Sequence, residues 1–191
     1  MSLTIQIDSR EKARAIKKIV AEFELQGVKY YVSKLWTGDY MSLDNPRLII
    51  DRKQNLSEIC ANVCQSHDRF RNELIRAQEN GIKLIILIEH SNQIKSIDDV
   101  ETWENPRRKK RLKTWIEDEL VVDEDGSEYW EPGRWIWEQI ETKAMTGETL
   151  AKVMRTMERK YGCEFLFCDK LHTGKRIIEI LGGEHIDQRT D

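Results

Sequence analysis

The feature that most constrains the fold is an almost unbroken apolar segment in the middle of the chain. Residues 82–88 read Ile-Lys-Leu-Ile-Ile-Leu-Ile, follow a predicted helix and lead directly into Glu89. An apolar run of this kind, without alternation, indicates a strand that is buried on both faces. Strands of this type belong to sheets with parallel members, so the run predicts an α/β domain.

Periodic segments on either side of this run extend the pattern. Leu3–Ile7 reads as a strand with alternating apolar residues, and apolar side chains at helical spacing then continue as far as Gly27. Residues 28–35 form an aromatic and β-branched strand, and a helix, a strand and a second helix are predicted from Thr146 onward. The expected fold is a mixed central β-sheet flanked by helices.

The composition limits the classes of protein that remain. The chain has 191 residues, of which 39% are hydrophobic, and its formal net charge is −3, so it is not a generally basic nucleic-acid binder. Any contact with DNA must come from a local patch. No apolar run approaches the roughly 20 residues of a membrane span, no signal-peptide pattern is present, and the four cysteines indicate no disulfide framework. We therefore expect a cytoplasmic protein without a membrane partner.

The stretch from Gly38 to Lys53 contains a candidate catalytic site. An apolar strand ends in Asp51 and Lys53, whose side chains project on the same side because side chains alternate along a strand. A polar turn, 44–46, separates this strand from the segment that follows Asp39; if the two segments pair, Asp39 returns beside Asp51. Two carboxylates and an ammonium group at a strand end suit a hard divalent cation and a positioned water, which phosphodiester hydrolysis requires.

Asp8 lies just after the first predicted strand, and two interpretations of it stay open. With Glu11 three residues later it forms a capping-box pattern, which would make it the N-cap of the following helix. Alternatively, it is an acid at the C-terminal end of a strand that faces the Asp39 and Asp51 carboxylates. Asp8, Arg10 and Glu11 could also divide these roles among them.

Residues 105–143 interrupt the α/β pattern and are predicted to form an insertion. The expected organisation is therefore a core of residues 1–104 and 144–185, the insertion, and a flexible tail, 186–191. The insertion is basic at first and then acidic, and it contains most of the tryptophans. The candidate DNA-binding residues in the basic run are Arg107, Arg108, Lys109, Lys110 and Arg111.

Two interpretations of the insertion are compatible with the sequence. Basic side chains with interleaved aromatic residues can contact phosphates and stack on bases. The tryptophans could instead form a small local core under a hairpin, with the basic run merely exposed. In the same way, Arg69 and Arg71 on a predicted helix either contact phosphates or belong to a solvated helix face.

Taken together, these motifs resemble the XPF-type nuclease domain of structure-specific DNA endonucleases, which belongs to the PD-(D/E)XK superfamily. The matching segments are Asp8–Glu11, Gly38–Tyr40, Asp51–Lys53 and Arg69–Phe70. The resemblance covers about residues 3 to 90, and the closing helix–strand–helix also fits. It implies a restriction-endonuclease-like fold and a metal-dependent DNA endonuclease that selects DNA by its structure.

The resemblance also implies roles for individual residues. Asp39 and Asp51 would ligate Mg²⁺ or Mn²⁺, and Asp8 would be a third carboxylate near the metal. Lys53 would orient the attacking water or stabilise charge on the phosphate. Arg10 would hold a carboxylate or the scissile phosphate. The predicted catalytic set is therefore Asp8, Arg10, Glu11, Asp39, Asp51 and Lys53, and Glu58 is an alternative helper to Glu11.

The chain departs from the family in two ways. Its third motif begins with Asp51, where the family usually has glutamate, but the superfamily uses either acid. The printed sequence shows no tandem helix-hairpin-helix module, which in that family drives pairing and contacts DNA. We therefore expect a standalone nuclease of the phage or mobile-element kind that acts on branched or duplex DNA. Whether the chain forms a homodimer stays an open question.

Two other hypotheses remain. One is a non-catalytic DNA-binding or scaffold module of the same fold, and the other is an RNA nuclease or junction resolvase. The joint presence of Asp39, Asp51 and Lys53 favours an active enzyme, because a decayed site would be expected to lose at least one of them.

Overall fold

The computed structural model describes residues 3–91 and 93–183, and the predicted tail, 186–191, lies outside these residues. The described residues form two compact units, an α/β core that is contributed by both ends of the chain and an insertion, Glu104–Thr146. No helix in the described part of the chain is long and apolar enough to cross a membrane.

The secondary structure follows the order expected for an α/β chain with an inserted β region. The strands are β1 (Thr4–Asp8), β2 (Lys29–Ser33), β3 (Tyr40–Ser42), β4 (Leu48–Lys53), β5 (Lys83–His90), β6 (Lys109–Ile116), β7 (Glu119–Val122), β8 (Glu128–Glu131), β9 (Arg134–Glu141) and β10 (Glu164–Asp169). The helices are α1 (Ala13–Leu25), α2 (Leu56–Cys64), α3 (His67–Glu79), α4 (Ile97–Val100), α5 (Gly147–Tyr161) and α6 (Thr173–Leu181), and a 3₁₀ turn spans Pro106–Arg108.

The core contains one six-stranded sheet in the order β10-β5-β4-β3-β1-β2. Strand β3 is antiparallel to both of its neighbours, whereas the pairs β1–β2, β4–β5 and β5–β10 are parallel. The carboxyl ends of five strands therefore lie at one edge of the sheet, where β3 begins. The predicted mixed central sheet is confirmed.

Helices cover both faces of this sheet. Helices α1 and α6 pack together on one face, and helices α2, α3 and α5 pack against β4, β5 and β10. Residues Leu84 to Ile88 of β5 are all buried, because successive side chains of this strand pack alternately against the two helical layers. The unbroken apolar run is thus explained by burial on both sides.

Gly174 allows α6 to approach α1 closely. A Cβ atom at this position would lie 2.7 Å from the Cβ of Glu22 and 3.2 Å from the Cα of Ile19. A larger residue would therefore push apart two helices that share the buried cluster of Ile16, Phe23 and Ile177.

The insertion consists of two separate two-stranded antiparallel sheets, β6–β9 and β7–β8. Gly126, with φ of +86°, lies in the tight turn that joins β7 to β8. Four tryptophans of the insertion are largely exposed, namely Trp115, Trp130, Trp135 and Trp137. The interpretation in which these tryptophans form a small local core is therefore wrong.

Candidate active site

The hairpin of β3 and β4 brings Asp39 next to Asp51. Tyr40 pairs with Ile50 in antiparallel register, so the next pair toward the sheet edge is Asp39 opposite Asp51. The Asp39 amide donates to the Ile50 carbonyl oxygen at 2.7 Å, and the Arg52 amide donates to Asp39 Oδ2 at 2.8 Å. The Asp39 carboxylate is therefore held beside β4 by the backbone.

Gly38 makes the turn into Asp39. Its φ is +63°, a left-handed conformation that other residues seldom adopt. A Cβ here would clash with the Ile49 side chain and lie 2.9 Å from the Ile50 carbonyl oxygen. The turn is also tied to α3, since Glu73 accepts hydrogen bonds from the Thr37 hydroxyl and the Gly38 amide.

Asp51 and Lys53 form a buried ion pair on the face covered by α2 and α3. The Lys53 Nζ donates to Asp51 Oδ1 at 2.8 Å and lies 5.5 Å from the centre of the Phe70 ring. Burial alone would lower the pKa of Lys53, but the Asp51 carboxylate, together with the charges of Asp39 and Glu58, outweighs it and the pKa is raised. Within residues 3–91 and 93–183, Asp51 Oδ2 is buried and has no hydrogen-bond partner.

Negative charge converges around Asp39. Burial raises the pKa of the Asp39 carboxyl well above its ordinary value, and the charges of Asp51 and Glu11 raise it further. The hydrogen bond from the Arg52 amide and the charge of Lys53 act in the opposite direction. A bound cation near these carboxylates would relieve this repulsion.

Asp8 lies at the same edge of the sheet as Asp51, but its carboxylate is hydrogen-bonded to Arg10 and to the Leu35 amide. Both of its oxygens accept hydrogen bonds from Arg10 Nε at 3.0 Å, and Oδ2 also accepts from the Leu35 amide at 3.2 Å. Burial disfavours the charged form, but the hydrogen bonds from the Arg10 side chain and amide, the Arg10 charge and the Leu35 amide together outweigh it and lower the pKa of Asp8. Helix α1 has Lys12 as its N-cap, so the capping-box interpretation of Asp8 and Glu11 is wrong.

Glu11 belongs to a network on the opposite face of the sheet. Arg52 alternates with Asp51 along β4 and donates to Glu11 Oε2 and to Glu89 Oε1, each at 2.9 Å. The Tyr40 hydroxyl donates to Glu11 Oε2 at 3.2 Å. The structure thus separates Glu11 from the Lys53 side of β4.

The sequence analysis missed Arg52 and Glu89. Both are buried, and the Thr173 hydroxyl at the start of α6 also donates to Glu89 Oε1 at 3.0 Å. The sequence feature that could have indicated this network was Glu89, an acid near the end of a strand that is buried on both faces. Its partner Arg52 is 37 positions away in the sequence.

A basic cavity also escaped sequence analysis. It has a volume of about 420 Å³ and lies beside Glu89. Its basic lining residues are Lys12, Arg14, Lys18 and Lys170. Three of these come from the start of α1 and the fourth from the loop after β10, so they do not form a run in the sequence.

The predicted DNA-binding arginines of α3 are exposed. Arg69 and Arg71 flank Phe70, which is buried against Lys53. In the insertion, strand geometry splits the basic run, because Lys109 and Arg111 project from one face of β6 and Lys110 from the other. Arg107 and Arg108 lie in the 3₁₀ turn before this strand.

A comparison with protein families decides the classification. The ERCC4 domain matches residues 7–181. This chain belongs to the ERCC4 domain family. Members of this family are nucleases, and the resemblance to the XPF-type nuclease domain is confirmed. No curated protein matches the chain in a sequence search.

Solved structures support the fold of this ERCC4 domain. XPF from Aeropyrum pernix superimposes with a TM-score of 0.55 at 14% sequence identity, over 97% of this chain and 66% of that one. XPF from Aeropyrum pernix in complex with DNA gives a TM-score of 0.56 at 14% identity, over 99% of this chain and 68% of that one. The chain thus spans about two thirds of the length of these two XPF chains.

The residues of this ERCC4 domain fit a divalent ion held by two carboxylates. The unpartnered Oδ2 of Asp51 is a buried ligand atom, and Asp39 is its neighbour across the hairpin. In the described part of the chain, no three His, Cys, Asp or Glu side chains form a ready-made metal cluster. Mg²⁺ is commonly bound by one or two carboxylates, with water and substrate phosphate completing the shell. Asp8 as a third ligand stays a prediction.

Proposed function

We propose that this ERCC4 domain is a divalent-metal-dependent endonuclease that hydrolyses phosphodiester bonds in DNA and prefers branched structures. One arrangement carries the proposal, namely that of Asp39 and Asp51 opposite each other in one hairpin. Lys53 donates to one carboxylate oxygen of Asp51, and the second oxygen is buried without a partner among the described residues. Burying an unpaired carboxylate oxygen is costly, so a function at this position is the simplest reason for its presence.

Asp39 and Asp51 would hold Mg²⁺ or Mn²⁺. Such an ion, when bound, lowers the pKa of a coordinated water and neutralises charge on the phosphate. Lys53 has three N–H donors, of which one is used by Asp51. The others can stabilise the charge that develops on the phosphate as the water oxygen bonds to phosphorus and the bond to the leaving sugar oxygen breaks.

The surrounding residues would position the substrate. The cavity lined by Lys12, Lys18 and Lys170 supplies positive charge at the same edge of the sheet, as contacts with a phosphate backbone require. Arg10 is engaged with Asp8 and so would act by holding that carboxylate in place. Arg69 and Arg71 are exposed on α3 and are further candidates for phosphate contact.

The test is cleavage by the purified chain of labelled duplex, flap, fork and junction DNA, and of RNA, with Mg²⁺, with Mn²⁺ and with a chelator. We expect metal-dependent nicking that is fastest on a branched substrate. Asp39→Asn and Asp51→Asn should each lose at least about a hundredfold in rate, because each removes a ligand charge with almost no change of shape. Asp68→Asn is the matched control, since Asp68 is a solvent-exposed acid on α3.

Each outcome separates the hypotheses. DNA binding without cleavage under any metal condition would favour the non-catalytic DNA-binding module. Cleavage of RNA in preference to every DNA would favour the RNA nuclease. Wild-type rates in both Asp39→Asn and Asp51→Asn would show that the site assignment is wrong.

A further inference from the structure

The two-stranded ribbon of β6 and β9 has two unlike faces. Residues directly opposite each other in an antiparallel pair share a face, and alternate residues along each strand share it too. One face, which we call the aromatic-basic face, therefore carries Lys109, Arg111, Lys113, Trp115, Trp135, Trp137, Gln139 and Glu141. All eight side chains are exposed.

The three tryptophans of the aromatic-basic face lie at neighbouring positions of the ribbon, and two of them are in ring contact. The rings of Trp115 and Trp135 meet at a centroid distance of 5.4 Å and an interplanar angle of 63°. Lys113 Nζ lies 5.0 Å from the centre of the Trp135 ring. Trp137 pairs with Lys113 across the ribbon and is 67% exposed. Exposed, grouped aromatic rings of this kind usually mark a binding surface.

The charge of this face is complementary to nucleic acid. It carries the cations Lys109, Arg111 and Lys113 and one carboxylate, Glu141. Among the residues that the structure describes, no carboxylate forms an ion pair with any of the three cations. The cations are therefore available to phosphates.

The other two-stranded sheet of the insertion lacks this complementarity. In the β7–β8 sheet, Trp130 is 66% exposed, as much as Trp137, but it shares its face with Leu120, Val122 and Glu128. Neither strand of this sheet contains a lysine or arginine. Both sheets of the insertion thus carry exposed tryptophan. Of the two, the β6–β9 ribbon combines it with lysine and arginine on the same face.

We propose that the aromatic-basic face binds unpaired nucleotides of a DNA strand, with bases stacked on the indole rings and phosphates on the cations. Indole offers a flat face and a single N–H donor, so it suits stacking better than reading the edges of paired bases. Paired bases already stack on one another, and an unpaired arm exposes its bases. The inference rests on the proposed function in naming DNA as the ligand, and it assigns the unpaired part of a branched substrate to this face.

The experiment measures binding without cleavage. The full chain is titrated, in EDTA, into fluorescein-labelled oligothymidylate of about 20 nucleotides and into a duplex of the same length, with anisotropy as the readout. We expect tighter binding of the single strand. Trp137→Ala should weaken single-strand binding about 5- to 150-fold, as the loss of one stacked base does. Trp130→Ala, at a ring with the same exposure, should leave it unchanged.

Two further variants separate stacking from other causes. Trp137→Phe retains an aromatic face and should keep most of the affinity, whereas Trp137→Leu should bind as weakly as Trp137→Ala. Lys113→Gln should reduce the slope of log affinity against log salt by about 0.7, the value for one phosphate contact on a single strand. Circular dichroism and elution volume establish that each variant is folded and unchanged in size.

The outcomes decide between the possibilities. Equal weakening by Trp137→Ala and Trp130→Ala, or no weakening by Trp137→Ala, overturns the proposal. A change of oligomeric state in Trp137→Ala without a change in DNA binding assigns the face to contacts between copies and overturns it too. Because EDTA removes the metal, single-strand binding that depends on Trp137 supports this inference even if the chain cleaves nothing.

Discussion

Lys53 Nζ lies 2.8 Å from Asp51 Oδ1, and both side chains are at least 90% buried. The second oxygen of the same carboxylate is buried and unpartnered within the part of the chain that the structure describes. A lysine that neutralises half of a carboxylate and leaves the other half available is an arrangement suited to binding a cation.

The ion pair of Asp51 and Lys53 makes a prediction about stability without metal. Lys53→Met should lower the free energy of unfolding by about 3–5 kcal/mol, because it leaves a buried carboxylate unpaired. Adding Asp51→Asn to this variant should recover much of the loss, since the uncompensated charge is then gone. Urea unfolding of the wild type, both single variants and the double variant in EDTA measures the coupling. If the losses of unfolding free energy in the two single variants simply add in the double variant, Lys53 and Asp51 are not coupled as an ion pair.

Binding of a metal by Asp39 and Asp51 predicts a thermal shift. Mg²⁺ or Mn²⁺ at about a hundred times its dissociation constant stabilises a folded protein by about 2.7 kcal/mol, which is roughly 5–10 °C for a chain of this size. Asp51→Asn should abolish the shift, Asp68→Asn should retain it, and a chelator should reverse it. Differential scanning calorimetry gives the result. An equal shift in Asp51→Asn would place the metal elsewhere.

Gly38 and Gly27 form a natural pair for a substitution test. Their φ values are +63° and +67°, but a Cβ at Gly27 meets nothing within 4 Å, whereas one at Gly38 would lie 2.9 Å from the Ile50 carbonyl oxygen. Gly27→Ala should therefore cost only the conformational strain, about 1–2 kcal/mol. Gly38→Ala should cost roughly 1–3 kcal/mol more, as overpacking does. Chemical denaturation compares them, and equal losses would show that the turn at Gly38 has room.

The basic cavity predicts salt-dependent binding of duplex DNA. Lys12→Gln, Lys18→Gln and Lys170→Gln should each weaken binding and lower the slope of log affinity against log salt by about 0.9 if each neutralises one phosphate. Lys29→Gln is the control, because Lys29 lies at the start of β2, away from the carboxyl edge of the sheet. Anisotropy in EDTA over a range of salt gives the slopes. Slopes that match the control would exclude the cavity as a DNA contact.

The cysteines predict a pattern of thiol reactivity with pH. Burial raises the pKa of the Cys163 thiol to about 12 and that of the Cys168 thiol to about 11, whereas Cys64 is exposed. Only the thiolate reacts, and at pH 8 a thiol of pKa 11 is ionised on the order of one part in a thousand. Titration with Ellman's reagent should show one fast thiol, which Cys64→Ser removes. A second fast thiol at pH 8 would mean that one of the other three cysteines, Cys60, Cys163 or Cys168, is accessible.

Much of the fold could be predicted because it depends on local periodicity. The apolar run of β5 reports burial on both faces, and the alternation in β4 places Asp51 and Lys53 on one side. The proximity of Asp39 to Asp51 follows from a short hairpin, whose register is set by neighbouring residues. The proximity of the three candidate site residues, Asp39, Asp51 and Lys53, could be predicted for the same reason, since they lie within 15 positions of one another.

Tertiary structure decided everything that depends on distant partners. Asp8 was expected either to cap α1 or to face the metal, and Arg10 was expected to hold a carboxylate or the phosphate. The folded chain pairs Arg10 with Asp8 and adds a donor that the sequence did not indicate, the Leu35 amide, from 27 positions away. A carboxylate of this kind accepts whichever donors packing brings to it, and periodicity carries no information on that choice. The same holds for Arg52, whose partner Glu89 comes from the neighbouring parallel strand.

The sequence by itself thus determined the strands of the α/β core, the faces of their side chains, and the family to which the chain belongs. Only the folded chain decided that Lys170 joins Lys12 and Lys18 around one cavity. It also decided that Trp135 and Trp137 lie opposite Trp115 and Lys113 across the β6–β9 ribbon. The physical reason is that alternation and helical spacing are properties of neighbouring residues. A binding surface, in contrast, is assembled by packing from residues whose separation along the chain is arbitrary.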